Sequence, residues 1–135
     1  VCVENLTPIC LPTSVEEVRE LVSADDRLRV CVDTNHMLAG NPVDFIKGLA
    51  DRIVTLHISD FDFEKECHWM PGQGAINWQD VYNALKEVDY SGIWLYEIGP
   101  KSNGRIYECK DFAQNANDIF ENKELGVYGI ENSEL

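Results

Sequence analysis

At positions 53–59 the sequence reads Ile-Val-Thr-Leu-His-Ile-Ser, with large apolar side chains at Val54, Leu56 and Ile58 and smaller or polar ones at Thr55, His57 and Ser59. A period of two belongs to a β-strand, and it turns one face toward a packed layer while the other carries His57. Three further runs, at 1–4, 28–33 and 93–98, repeat the arrangement. Val1 and Val3, Val30 and Val32, and Trp94, Tyr96 and Ile98 share the large parity. Cys2 and Glu4, Cys31 and Asp33, and Leu95 and Glu97 share the other. Each run thus ends with one ionisable residue on the same face.

Helical periods separate the runs. Val15, Val18, Leu21 and Val22 follow Thr13-Ser14-Val15-Glu16, a capping-box pattern. Asn41-Pro42 supplies an N-cap and an N1 proline for a helix burying Val43, Ile46 and Leu49. Asn77 precedes Trp78, Val81, Leu85 and Val88, and Phe112, Ala116, Ile119 and Phe120 mark a fourth helix. A β-α unit repeated in this way is an α/β pattern and predicts parallel strands with helical crossovers. An open sheet would place an ionisable strand end at one or two strands. Four in succession suggest a common axis, as in one half of a (β/α)8 barrel, whose site lies at the C-terminal strand ends. Residues 1–124 read as this domain, and 125–135 as an acidic, extended tail.

Composition narrows the function. With 44% hydrophobic residues in 135, the chain has enough apolar material for one packed domain and is not a disordered segment. Its 24 acidic and 11 basic residues give a net charge of −13, and without a basic block a nucleic-acid backbone is not an expected partner. No apolar run has the length of a membrane span and no signal peptide is legible, so a membrane is not expected either. The 5 cysteines (Cys2, Cys10, Cys31, Cys67 and Cys109) are odd in number and lack a C-x-x-C pair. They read as free thiols in a reducing cytoplasm. Val1 already lies in a strand-like run, so the chain reads as part of a longer polypeptide.

Taken singly, Glu4, Asp33, His57 and Glu97 would pass as polar strand ends bonded to loop backbone. Converging at the top of one sheet, three carboxylates repel one another unless a cation joins them. Three oxygen donors and one imidazole suit Mn²⁺, Mg²⁺ or Co²⁺, with Zn²⁺ a further option. His36 follows Asp33 closely enough to fold back over the same strand end. His68 lies in Glu66-Cys67-His68-Trp69-Met70-Pro71-Gly72-Gln73-Gly74, a loop stiffened by Pro and Gly. It reads as a surface histidine beside a turn, or as a substrate contact or extra ligand. Gly99-Pro100-Lys101-Ser102-Asn103-Gly104 reads as a phosphate loop or as a plain turn.

Glu4-Asn5-Leu6, Asp33-Thr34-Asn35-His36, His57-Ile58-Ser59-Asp60, Pro71-Gly72-Gln73-Gly74 and Tyr90-Ser91-Gly92 leading to Glu97 follow one another in order. This series resembles the C-terminal half of the xylose isomerase-like TIM-barrel superfamily, in particular its sugar-phosphate isomerase/epimerase branch. The resemblance implies a divalent-metal-dependent sugar or sugar-phosphate isomerase or epimerase working by proton transfer through an enediolate. It matches Glu4, Asp33, His57 and Glu97 to metal ligands, and Glu4 and Glu97 also to the acid/base pair. His36 matches a histidine that contacts substrate oxygen. His68 stands where related epimerases often carry a substrate-binding arginine.

Two other readings remain. The endonuclease IV branch of the same fold binds several zinc ions at abasic DNA, and its loop resembles Glu66-Cys67-His68; the charge of −13 opposes it. A half-barrel without turnover is the other. Its open edges would call for the remainder of a barrel or a second copy.

Overall fold

The computed structural model describes residues 1–37 and 40–133. Four strands, β1 (Cys2–Glu4), β2 (Arg29–Asp33), β3 (Ile53–Ile58) and β4 (Ile93–Tyr96), form one sheet in the order β1-β2-β3-β4, every pair parallel. Helices α1 (Val15–Ser23), α2 (Pro42–Leu49) and α3 (Trp78–Glu87) make the crossovers, and α4 (Cys109–Phe120) follows β4. This is the expected half-barrel of β-α units.

The crossover helices start with the kinds of cap the sequence suggested, but the box on α1 sits one residue later than Thr13-Ser14-Val15-Glu16. Ser14 caps α1 in a reciprocal box with Glu17, which also accepts the Thr13 hydroxyl. Asn41 accepts from the Val43 N–H ahead of Pro42, and Asn77 from Gln79 and Asp80. The large-parity residues Val30, Val32, Leu56 and Ile58 pack with Val18, Val22, Phe45, Ile46, Leu49 and Val81 in one core between sheet and helices.

Three expectations change. Val54 does not face the helices: it is 40% exposed, because the register skips it, setting Val30 opposite Ile53 and Cys31 opposite Thr55. This bulge lets Ile53 take the core position and restores the phase before His57. Val1, also assigned to the helix face, lies one residue before β1 and is exposed, whereas Val3 packs on the core. Finally, the stretch after Leu125 is not a free tail in the described residues. Tyr128 is buried beside Met70 and Tyr107, its hydroxyl donates to Asp118, and β7 (Ile130–Glu131) pairs with β6 (Arg105–Ile106). With β5 (Lys101–Ser102) these make a small antiparallel sheet. The Gly99–Gly104 stretch is therefore a hairpin turn, in which Asn103 and Gly104 take the positive φ of 47° and 70° that a two-residue connection needs. No helix of the described residues is long and apolar enough to cross a membrane.

One buried carboxylate organises the loop after β3. Asp60 Oδ2 accepts from the N–H groups of Gly72 (2.8 Å) and Gly74 (3.0 Å) and from Trp78 Nε1 (2.9 Å), and Oδ1 from Phe61 (2.9 Å) and Ile76 (3.2 Å). Gly74 approaches Asp60 Oδ1 and the Phe61 carbonyl so closely that a Cβ there has no room. Replacing Asp60 by Ala strands several buried donors, each costing about 1–3 kcal/mol. The chain should lose about 3–5 kcal/mol in urea denaturation; a loss under about 1 kcal/mol would show that water takes over these donors.

Candidate metal and substrate site

Parallel pairing sets the C-terminal ends of the strands side by side. Asp33 lies opposite His57 in the β2–β3 register, Glu4 opposite Cys31 in β1–β2, and the Glu97 N–H donates to the Ile58 carbonyl just past β4. The four side chains selected from the sequence therefore meet. His57 Nδ1 is 3.3 Å from Glu97 Oε2, 3.4 Å from Glu4 Oε2 and 3.5 Å from Asp33 Oδ2. These separations are too long for good hydrogen bonds. Asp33 Oδ2 and His57 Nδ1 are in fact buried without a hydrogen-bond partner.

Such a cluster is electrostatically strained. Burial, then Glu97 and Glu4, pushes the Asp33 carboxyl up to about 9, against a 2.7 Å hydrogen bond from the Asn35 N–H to Oδ1 that favours the anion. Burial pushes the neighbouring Cys31 thiol up to about 12, with Glu4 and Asp33 adding to it. A bound cation would relieve both the repulsion and the missing hydrogen bonds, so the donor set fits a divalent ion.

Both other sequence-selected histidines reach the same region. His36 Nδ1 lies 3.0 Å from the Asn5 carbonyl, 3.2 Å from Glu4 Oε1 and 3.5 Å from Asp33 Oδ2, while Nε2 is 3.0 Å from Glu66 Oε1. His68 adopts a positive φ of 49°. Its Nδ1 lies 3.0 Å from the Glu97 carbonyl and its Nε2 3.8 Å from Glu66 Oε1, and Ser102 Oγ donates to its carbonyl. Among the described residues, four groupings have ligand atoms within 4.8 Å of one another: Asp33–His57–Glu97, Glu4–Asp33–His36, Glu4–Cys31–His57 and His36–Glu66–His68.

Several residues that hold this arrangement carried no role in the sequence reading. Asn5, buried, exchanges two 2.9 Å hydrogen bonds with the backbone of Asp33 and so locks the end of β1 to the end of β2. Thr34 Oγ1 donates to the Ser59 carbonyl (2.7 Å) and accepts from its N–H (3.0 Å). Asn35 Oδ1 accepts from the Cys67 N–H at 3.0 Å, bringing Glu66 and His68 over the site. Asn5, Thr34 and Asn35 all stand beside ligand candidates in the quoted motifs, and that adjacency was the available signal. For Glu66 the available signal was the resemblance of Glu66-Cys67-His68 to the zinc-binding loop of the endonuclease IV branch.

Comparison with known proteins follows the same lines. A family model described as xylose isomerase-like TIM barrel matches residues 1–118. D-psicose 3-epimerase of Enterocloster bolteae is 26% identical over 95 residues, which are 69% of this chain and 29% of that protein. The protein MJ1311 of Methanocaldococcus jannaschii is 32% identical over 84 residues, 58% of this chain and 29% of the other. Among solved structures, a D-tagatose 3-epimerase-like protein superposes with a TM-score of 0.70 at 25% identity, over 87% of this chain and 44% of that one. D-psicose 3-epimerase of Clostridium cellulolyticum H10, at 19% identity and a TM-score of 0.65, shares the fold. The chain thus spans under a third of these curated relatives and about half of these solved structures.

The strain at Asp33 has a pH signature. Its folded-state affinity for protons exceeds the unfolded one, so without metal the folded state gains stability from this group at low pH. That contribution is lost as pH rises from the ordinary carboxylate range through about 9. In chelator, Asp33→Asn should flatten the fall in stability between these limits in denaturation curves taken across pH. An unchanged slope would mean that Asp33 is already ionised.

Proposed function

The chain belongs to the xylose isomerase-like TIM-barrel family, and from this membership we propose that it forms the metal-binding half of a sugar epimerase or isomerase. The observation that carries the reading is the meeting of Glu4, Asp33 and Glu97 around His57 Nδ1, with two of the facing atoms buried and unpartnered. A relative named D-psicose 3-epimerase and a solved D-tagatose 3-epimerase-like protein support a ketose as the substrate class; the phosphate of a ketose is an extension of that reading.

In this reading Glu4, Asp33, His57 and Glu97 hold a divalent ion, with Mn²⁺, Mg²⁺ or Co²⁺ suited to the oxygen-rich set. When bound, that ion supplies Lewis acidity beside the carbonyl and hydroxyl of the sugar. Glu4 and Glu97 lie at the two outer strands of the sheet, so their carboxylates approach the substrate from different sides. One takes the proton from the carbon next to the carbonyl. The other returns a proton to the same carbon from the opposite face, which inverts it, or to the neighbouring carbon, which exchanges ketose and aldose. His36 and His68, at the rim with Glu66, bind substrate hydroxyls.

The sheet ends at β1 and β4, and on β4 Ile93 and Leu95 are exposed on the face that would line a barrel. The remainder of a barrel, or a second copy, covers them in the working enzyme.

One observation favours the zinc-dependent nuclease reading instead: His36, Glu66 and His68 form a ligand group of their own. Two or three zinc ions per chain in elemental analysis would support it, and one divalent ion would support the epimerase. With the barrel completed, a metal-loaded preparation should exchange the proton next to a ketose carbonyl for solvent deuterium, read by NMR. Glu97→Gln should lower that rate by about 10²–10⁴-fold, the range of general acid–base catalysis. Exchange at the wild-type rate would remove Glu97 from the mechanism.

A further inference from the structure

The inner face of β2 carries a group that an oxygen-seeking metal site does not require. Cys31 is 4% exposed and free, and it faces Glu4 directly in the β1–β2 register. Its Sγ, a carboxylate oxygen of Glu4 and a ring nitrogen of His57 all lie within 4.8 Å of one another. A second feature points to a cation in the same space. Asp33, with no exposed surface, turns an unpartnered Oδ2 toward His57 Nδ1 at 3.5 Å, and that nitrogen too has no hydrogen-bond partner. Among the described residues, Cys31 is the one cysteine in any group able to hold a metal.

Glu4 and His57 are therefore shared between two donor sets. With Asp33 and Glu97 they offer oxygen and one imidazole, a set for Mn²⁺ or Mg²⁺. With Cys31 they offer thiolate, imidazole and carboxylate, a tetrahedral set with one position left open, which is the pattern of zinc. We propose that Cys31 is a metal ligand and that, with Glu4 and His57, it makes this site take zinc ahead of manganese. The proposal rests on the cation-binding reading of the strand ends given above. No redox step is involved: a Zn–S bond forms, the S–H bond breaks, and the proton leaves to solvent.

Cobalt(II) serves as the spectroscopic probe, and zinc is titrated in competition with manganese. The wild-type chain should show the near-ultraviolet thiolate-to-cobalt charge-transfer band, and Cys31→Ser should lack it. Zinc affinity should fall in that variant by roughly 100-fold or more, since outer-sphere partners alone cost 10–100-fold. Manganese affinity, which depends on Glu4, Asp33, His57 and Glu97, should persist and so shows that the variant is folded. Cys31→Ala repeats the test should the serine variant fail to fold. If cobalt and manganese bind without the band, or the band survives in Cys31→Ser, the thiol is not a ligand and the proposal falls while the oxygen-rich site stands. If the wild-type chain binds none of the three metals, both fall.

Discussion

Three carboxylates held against one imidazole ring nitrogen, in surroundings that leave Asp33 no contact with solvent, are the constraint around which this half-barrel is arranged. Parallel pairing brings the strand ends together for reasons of packing, but packing does not require like charges there. Their mutual repulsion and desolvation oppose folding. The cluster persists because rigid neighbours leave it no alternative. Asn5 ties β1 to β2, Thr34 ties β2 to the end of β3, and the core residues of all three crossover helices fix the sheet behind them. A site built on ordered strands can hold such strain, and in the proposed reading a divalent cation would convert it into affinity.

A second buried carboxylate shows how differently the same charge behaves when it is satisfied. Asp60, three residues beyond His57, is as inaccessible as Asp33 but accepts from five N–H donors. It shapes the Pro-Gly loop, and that loop carries Glu66 and His68 to the rim. From the other side, Asn115 on α4 donates to the Pro71 carbonyl and Tyr107 to Gln73. With Tyr128 packed on Met70 of the same loop, the segment from Tyr107 to Tyr128 buttresses it. Asp33 faces carboxylates where Asp60 faces donors. That difference makes Asp33 the strained carboxylate and Asp60 the satisfied, structural one.

The strand order, the helix starts and the shared parity of Glu4, Asp33, His57 and Glu97 were legible because they follow from short-range periodicity and capping chemistry. Val54 departs from the apparent period of its strand because a bulge is set by how two strands align, which neither strand encodes alone. The order in the stretch after Leu125 leaves no pattern to read, because a single aromatic, Tyr128, fills a site formed by residues far earlier in the chain. Asn5, Asn35 and Asp60 act across 28, 32 and up to 18 positions, separations that leave no periodic trace. From the sequence Cys31 is one of five free thiols, and in the fold it is free and buried. Its distance to Glu4 and His57 emerges only when the sheet closes.

The central claim is that the four strand ends form one cation site. The most direct measurement is a crystal structure of the chain grown with manganese, with anomalous differences collected at the manganese edge. The account predicts one dominant peak enclosed by Glu4, Asp33, His57 and Glu97. A map with no peak there, and with Asp33 hydrogen-bonded as a neutral acid to a neighbouring carboxylate, would contradict it.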